Sequence, residues 1–168
     1  MEYLSYSPDI WNKAFASERD NLLFELPQFR IKVEHIGATS VKNCRSFRNV
    51  DILVVAKNFK DISTIAMILS SKDYKELREL SSIYCALLVK KSKVLDCGIT
   101  VRVVEYGSKI YNSINCFQTY LKKSGINVQQ YNVFREESIR RSNMDITKYN
   151  KTKYDYINLK IDENFRFE

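Results

Sequence analysis

The stretch Val33-Glu34-His35-Ile36-Gly37-Ala38-Thr39-Ser40-Val41 holds the residues best suited to chemistry, together with Asp51-Ile52-Leu53-Val54-Val55 ten residues further on. It reads as a strand, a tight glycine turn rich in hydroxyls, a spacer, and a second strand that opens on a carboxylate. Backbone N–H groups and the hydroxyls of Thr39 and Ser40 after such a turn can cradle phosphate oxygens. Asp51 can hold a magnesium ion that bridges them. The same residues allow a plainer reading. The turn is then a helix start capped by Thr39 or Ser40, and Asp51 is a structural carboxylate that takes hydrogen bonds from it.

Metal-assisted phosphoryl transfer wants at least two carboxylates on the ion. The position that shares a strand face with Asp51 two residues on is Leu53. The remaining candidates are Glu34 beside the turn, and Asp96 and Glu105 near opposite ends of a later strand. His35 is the only histidine. It serves either as a ligand contact at the turn or as a hydrogen-bonded structural group, and with it alone no His–Cys metal cluster can form. No serine–histidine–acid nucleophile arrangement is visible. Tyr131 and Arg135, Tyr149 and Lys153, and Tyr156 and Lys160 each stand four apart. On a helix such pairs share a face, so ring and cation can meet one ligand together. The alternative is an amphipathic helix whose tyrosines pack inward while its lysines reach water.

The elements that must position these residues follow from hydrophobic period and punctuation. Ser7-Pro8-Asp9 opens a helix that carries Trp11, Phe15, Leu22 and Leu26 and ends before Pro27. Residues 29–36 form a strand with Ile31 and Val33 on one face. Residues 49–56 are almost continuously apolar, as a central strand covered on both sides should be, and Asp51 is its single charge. A helix over 61–71 follows, then strands over 83–90 and 95–105 joined at Ser92-Lys93 as an antiparallel hairpin and closed by Gly107-Ser108. Helices over 110–124, ended by Gly125, over 128–142, and from an Asp145 cap to about residue 164 complete the chain. Strands in the middle and helices at the end make this an α/β (α+β) protein: a small mixed sheet flanked by helices, with a helical C-terminal part. Residues 1–168 are one domain, with 1–109 as the sheet-containing core and 110–168 as the helical part.

The net charge of +7 and pI near 9.2 favour anionic partners such as nucleotides or phosphorylated metabolites, or describe a lysine-rich solvated surface. No helix-turn-helix, zinc or RNA-binding signature supports a nucleic-acid binder. No apolar run is long enough to span a bilayer and the N-terminus has no signal pattern, which points to the cytoplasm and away from a membrane. Cys44, Cys85, Cys97 and Cys116 are scattered without zinc spacing, as buried free thiols are.

The pattern resembles the GrpB-like family, relatives of the nucleotidyltransferase superfamily. Tyr6, Trp11, Phe15 and Glu18 match its opening helix. HIGATSV (residues 35–41) followed by VDILVV (50–55) resembles its His-Ile-Gly-Ser-Thr-Ala-Val turn and Ile-Asp-Ile strand. VRVVEYGS (101–108), FQTYL (117–121), YNVFREE (131–137) and YNKTKYDYI (149–157) resemble its later strand and helix motifs. The resemblance implies a nucleotidyltransferase-like fold. It also implies a cleft lined by the Gly37 turn, Asp51, the Thr100–Arg102 strand, and the helix residues Tyr131, Arg135, Tyr149 and Lys153. The chain departs from the family pattern at Ala38, Lys42-Asn43, Phe47, Thr100-Val101-Arg102, Gln118 and Thr119, and Arg135 replaces a lysine. His35, Gly37, Thr39, Asp51, Tyr120, Tyr131, Tyr149 and Lys153 remain.

Two functions are expected from these residues. One is nucleotidyl transfer from a nucleoside triphosphate, with Asp51 as Mg2+ ligand and catalytic residue and Gly37–Ser40 on the phosphates. The other is a catalytically degenerate module that binds a nucleotide or another anion through His35, Gly37, Thr39, Ser40, Arg102, Tyr131, Arg135, Tyr149 and Lys153.

Overall fold

The computed structural model describes residues 8–143 and 145–165. Helix α1 (Pro8–Glu25) starts on its proline, whose missing N–H would have had no helical partner. Ser7, expected to cap it, and Tyr6 lie outside the described residues. The helix stops ahead of Leu26-Pro27, where the proline disfavours helical backbone in the residue before it. There follow β1 (Ile31–Ile36), β2 (Asn49–Ala56), α2 (Lys60–Ser70), β3 (Lys75–Glu76), β4 (Cys85–Lys91), β5 (Gly98–Glu105), α3 (Lys109–Lys123), α4 (Gly125–Arg141) and α5 (Ile146–Asn164). Single 3-10 turns occupy Ala38–Ser40 and Arg78–Leu80.

The five strands form one mixed sheet in the order β1-β2-β5-β4-β3. Strands β2 and β5 run parallel, and the other neighbours run antiparallel. The β4–β5 hairpin expected at Ser92-Lys93 is present, closed by the Ser92 N–H donating to the Cys97 carbonyl at 2.9 Å. Strand β2 lies inside the sheet between β1 and β5, which is why its sequence is apolar on both faces. On one face Val50, Ile52, Val54, Ile99, Val101 and Val103 pack with Trp11 and Leu22 of α1 and Ile62, Ile65 and Leu69 of α2. A buried polar cluster pins α1 on that side. Glu18 accepts from Tyr74 and from Lys90, whose Nζ lies 3.0 Å away, and the Lys90 ammonium sits 4.4 Å above the Tyr74 ring.

The opposite face carries Leu53, Val55 and Val104, covered by Ile110, Tyr111 and Ile114 of α3. Helices α3, α4 and α5 then pack on each other through Phe117, Leu121, Val128, Tyr131 and Ile161. Several boundaries differ from the sequence reading, with β1 starting at Ile31 rather than residue 29, β4 at Cys85 rather than 83 and α4 at Gly125 rather than 128. Gly125 does not close α3; it opens α4. Ser124 is extended, and its hydroxyl accepts from the Asn127 N–H at 3.2 Å, which makes it the N-cap of the next helix. The strand expected to begin at residue 95 begins at Gly98, because residues 92–97 form the hairpin turn. Asp145 caps α5 as expected, accepting from Thr147 N–H at 2.9 Å and Lys148 N–H at 3.1 Å.

Candidate functional site

A cavity of about 810 Å³ lies between the second sheet face and helices α3, α4 and α5. Strand register builds its floor. Asp51 pairs with Thr100 and Leu53 with Arg102 across the parallel β2–β5 ladder, so Arg102 stands on the face of Asp51. Asn49, two residues before Asp51, shares that face. Its Nδ2 donates to Asp51 Oδ1 at 2.8 Å, and its Oδ1 accepts from Thr100 Oγ1 at 3.2 Å. The antiparallel β1–β2 pairing sets Ile36 opposite Asp51 and brings the next residue, Gly37, over the carboxylate. Gly37 has φ 73°, and a Cβ there would lie 2.6 Å from Asp51 Oδ2. Only glycine accommodates both the dihedral and the approach.

Helix α5 supplies the roof. Ile146, Tyr149, Asn150, Lys153 and Ile157 recur at helical spacing and all border the cavity. Lys153, Arg102 and Arg135 act on the Asp51 carboxylate, and Asp51, Arg135 and Arg102 act on the Lys153 ammonium. Burial pushes the Asp51 carboxyl above its ordinary range, against the pull of the three cations and Asn49. Burial pushes the Lys153 ammonium down; Asp51 opposes that shift while Arg135 and Arg102 add to it. Among the described residues, Lys153 and Arg102 form no salt bridge with any carboxylate.

Arg135 is engaged differently. Its Nε donates to Tyr149 Oη at 2.9 Å, its Nη1 donates to the Arg45 carbonyl, and its guanidinium lies 5.1 Å from the Phe47 ring centroid and 5.4 Å from that of Tyr131. Asn132 adds two bonds to the same loop, accepting from the Arg45 N–H at 2.9 Å and donating to the Asn43 carbonyl at 3.0 Å. Helix α4 thus clamps the segment that joins the glycine turn to β2.

The structure brings Gly37, Asp51, Arg102, Tyr131, Arg135, Tyr149 and Lys153 to one cavity. It places His35 and Thr39 elsewhere. His35 pairs with Ile52, so it points to the opposite sheet face from Asp51. There it stacks on Phe15 at 4.8 Å, and its Nε2 bonds Thr39 Oγ1 at 3.0 Å. Burial, with the Lys122 charge, pushes the His35 imidazole down to about 4. Ser40 closes the turn on itself, donating to the Gly37 carbonyl at 2.8 Å. The Gly37 N–H donates to Gln118 Oε1 at 3.0 Å, and Gln118 Nε2 donates to Ser40 Oγ. The turn amide at the heart of the expected phosphate cradle is thus taken by a side chain of α3. Asn49 and Gln118 are site residues that reading downstream from Asp51 missed, whereas Thr100 stands in the cleft as the resemblance implied. Applying the same two-residue rule upstream reaches Asn49.

The other acids do not join Asp51. Glu34 pairs with Lys32 at 2.6 Å, Asp96 with Arg48 at 3.4 Å, and Glu105 accepts from the Phe59 N–H at 3.2 Å. No group of three or more His, Cys, Asp or Glu side chains suited to a metal exists among the described residues. No described helix is long and apolar enough to cross a membrane.

A five-stranded mixed sheet, helices on both faces and a cation-rich cavity under the last three helices define a helix-roofed α/β protein. The family model described as GrpB protein matches residues 3–163, and the chain belongs to the GrpB family. Among solved structures, the crystal structure of conserved protein GrpB from Enterococcus faecalis is similar over 96% of this chain and 96% of that one, with a TM-score of 0.79 and 21% sequence identity. At that identity the likeness shows the fold. The search of curated proteins returned no match.

Proposed function

We propose that this GrpB-family chain binds a phosphorylated or otherwise anionic small molecule in the cavity between its sheet and its C-terminal helices. One observation carries this reading. Three cations converge on a single carboxylate across an open space, and two of them, Arg102 and Lys153, close on no acid among the described residues. Arg102 and Lys153 face the single Asp51 carboxylate, a formal excess of positive charge. In a partly desolvated cavity that excess acts more strongly than in water. Arg102 offers a planar fork for two oxygens and Lys153 a compact point charge. Arg135 and Tyr149, bound to each other, hold the wall, and Tyr131 fills behind them.

Nucleotidyl transfer from a nucleoside triphosphate is the second reading. It is favoured by the order strand, glycine turn, carboxylate strand, with Gly37 and Asp51 side by side in the cleft that the resemblance to the GrpB-like family implies. The donor set does not fit a resident Mg2+: one carboxylate, already bonded to Asn49, stands among three cations. An ion there would have to arrive on phosphates of the ligand.

Thermal shift separates the two readings. Pyrophosphate and nucleotides are expected to raise the melting temperature without Mg2+, and Lys153→Met or Arg102→Gln to abolish the rise. A rise seen only with a triphosphate and Mg2+ together supports transfer. No rise with any of these at millimolar concentration contradicts both.

A further inference from the structure

The cavity is not uniformly polar. Asp51 and Arg102 stand on its floor, Lys153 on α5, Arg135 on α4 and Lys109 at the start of α3, while Ile36, Ile110, Ile114 and Ile157 supply an aliphatic part of the wall. The apolar character continues outward to the rim, where Leu80 is 62% and Ile146 47% exposed. Single exposed apolar residues need no explanation, but these two border the same cavity as the isoleucines. Several of the aromatic rings nearby are already engaged with one another or with Arg135. Phe117 packs edge-to-face with Tyr131 at 5.2 Å, Tyr131 stacks on Tyr156 at 5.8 Å, and the Phe47 ring lies under Arg135 with Tyr149 at its edge. Among the lining rings Tyr154 is 65% exposed and open to stacking, whereas an aliphatic chain finds a branched aliphatic wall further in.

We infer that the ligand is an amphipathic organic anion: a phosphate-like head set on Arg102 and Lys153, with an aliphatic body laid along Ile114 and Ile157 and directed toward the Leu80–Ile146 rim. This rests on the anion-binding reading above and names the class of molecule that reading leaves open. Fixed cations select the head, and the isoleucines remove the chain from water.

Calorimetric titration with inorganic phosphate, hexyl phosphate, adenosine 5′-monophosphate and the neutral hexyl glucoside tests it. Hexyl phosphate is expected to bind about 60-fold tighter than inorganic phosphate, the gain from burying three methylene groups at roughly fourfold each. Ile157→Asn is expected to remove most of that gain and leave inorganic phosphate unchanged. Should that variant fail to fold, Leu80→Ser at its exposed position serves instead: decyl phosphate must lose affinity there while inorganic phosphate does not. Adenosine monophosphate binding as tightly as hexyl phosphate overturns the inference and leaves the anion site standing. Hexyl glucoside binding as tightly as hexyl phosphate overturns it as well, because the head would then contribute nothing. Failure of every phosphate-bearing compound to bind overturns both the inference and the reading beneath it.

Discussion

At Gly37 a single hydrogen atom is all that fits between the turn and the carboxylate of Asp51. The backbone there has φ 73°, and any Cβ would sit 2.6 Å from Asp51 Oδ2. Gly37→Ala is therefore expected to cost about 2–3 kcal/mol of stability, combining left-handed backbone strain with displacement of the acid. Urea denaturation reads this as a lowered midpoint at unchanged slope. The three cations divide their labour in a way that substitution can expose. Arg135 is buried and holds both Tyr149 and the Arg45 carbonyl, so Arg135→Lys, which cannot reproduce the fork, is expected to lose about 2 kcal/mol. Arg102, whose guanidinium donates to the Cys85 sulfur at 3.9 Å, is expected to lose under about 1 kcal/mol as Gln while weakening anion binding. Equal stability losses in the two variants would contradict that division. At this scale the sequence showed the right residue types but not their direction. His35 and Ile36 are neighbours, yet one faces α1 and the other the cavity, because side chains alternate along a strand. A one-residue uncertainty about where the turn begins therefore decides whether the histidine belongs to the site.

Between elements, the same histidine acts as a joint. It links α1 through Phe15 and the 3-10 turn through Thr39. The folded chain holds its imidazole neutral, with a pKa near 4, whereas the unfolded chain takes up a proton near 6.5. The unfolded state thus binds more protons in that window. The contribution is fully present above about pH 6.5 and is lost as pH falls toward 4, reaching roughly 3 kcal/mol. Stability measured from pH 7 to pH 4 should decline along this limb in the wild type and flatten in His35→Gln. An unchanged slope would show that the histidine titrates alike in both states. Elements themselves were legible where pattern and burial agreed. Strand β2 spans the residues expected because burial on both faces leaves no ambiguity of period. Strand β3, two residues long, carries no periodic signal and was invisible. Gly125 misled because a helix-closing glycine and a helix-opening one look alike until the Ser124 hydroxyl is seen capping Asn127.

Over the whole molecule, the sheet acts as a partition. One face is sealed by α1 and α2 with an apolar core. The other is only partly filled by α3, and α4 and α5 close over the remainder to leave the cavity. Residues 51, 102, 135 and 153 meet there from two strands and two helices, a convergence for which no local pattern in the chain is a sign. It came within reach of sequence only through the family resemblance, whose motifs fall on these positions. The two accounts of the cavity differ on what its lone acid is for. In an anion site Asp51 opposes the ligand; in a metal-dependent transfer site it is indispensable. The most direct test is calorimetric titration of pyrophosphate, free of divalent metal, into the wild type and Asp51→Asn. The anion-site account predicts binding in both proteins, tighter in Asp51→Asn by about tenfold, since one nearby negative charge is removed without changing shape. Loss of binding in Asp51→Asn, or binding in the wild type only when Mg2+ is added, would contradict it.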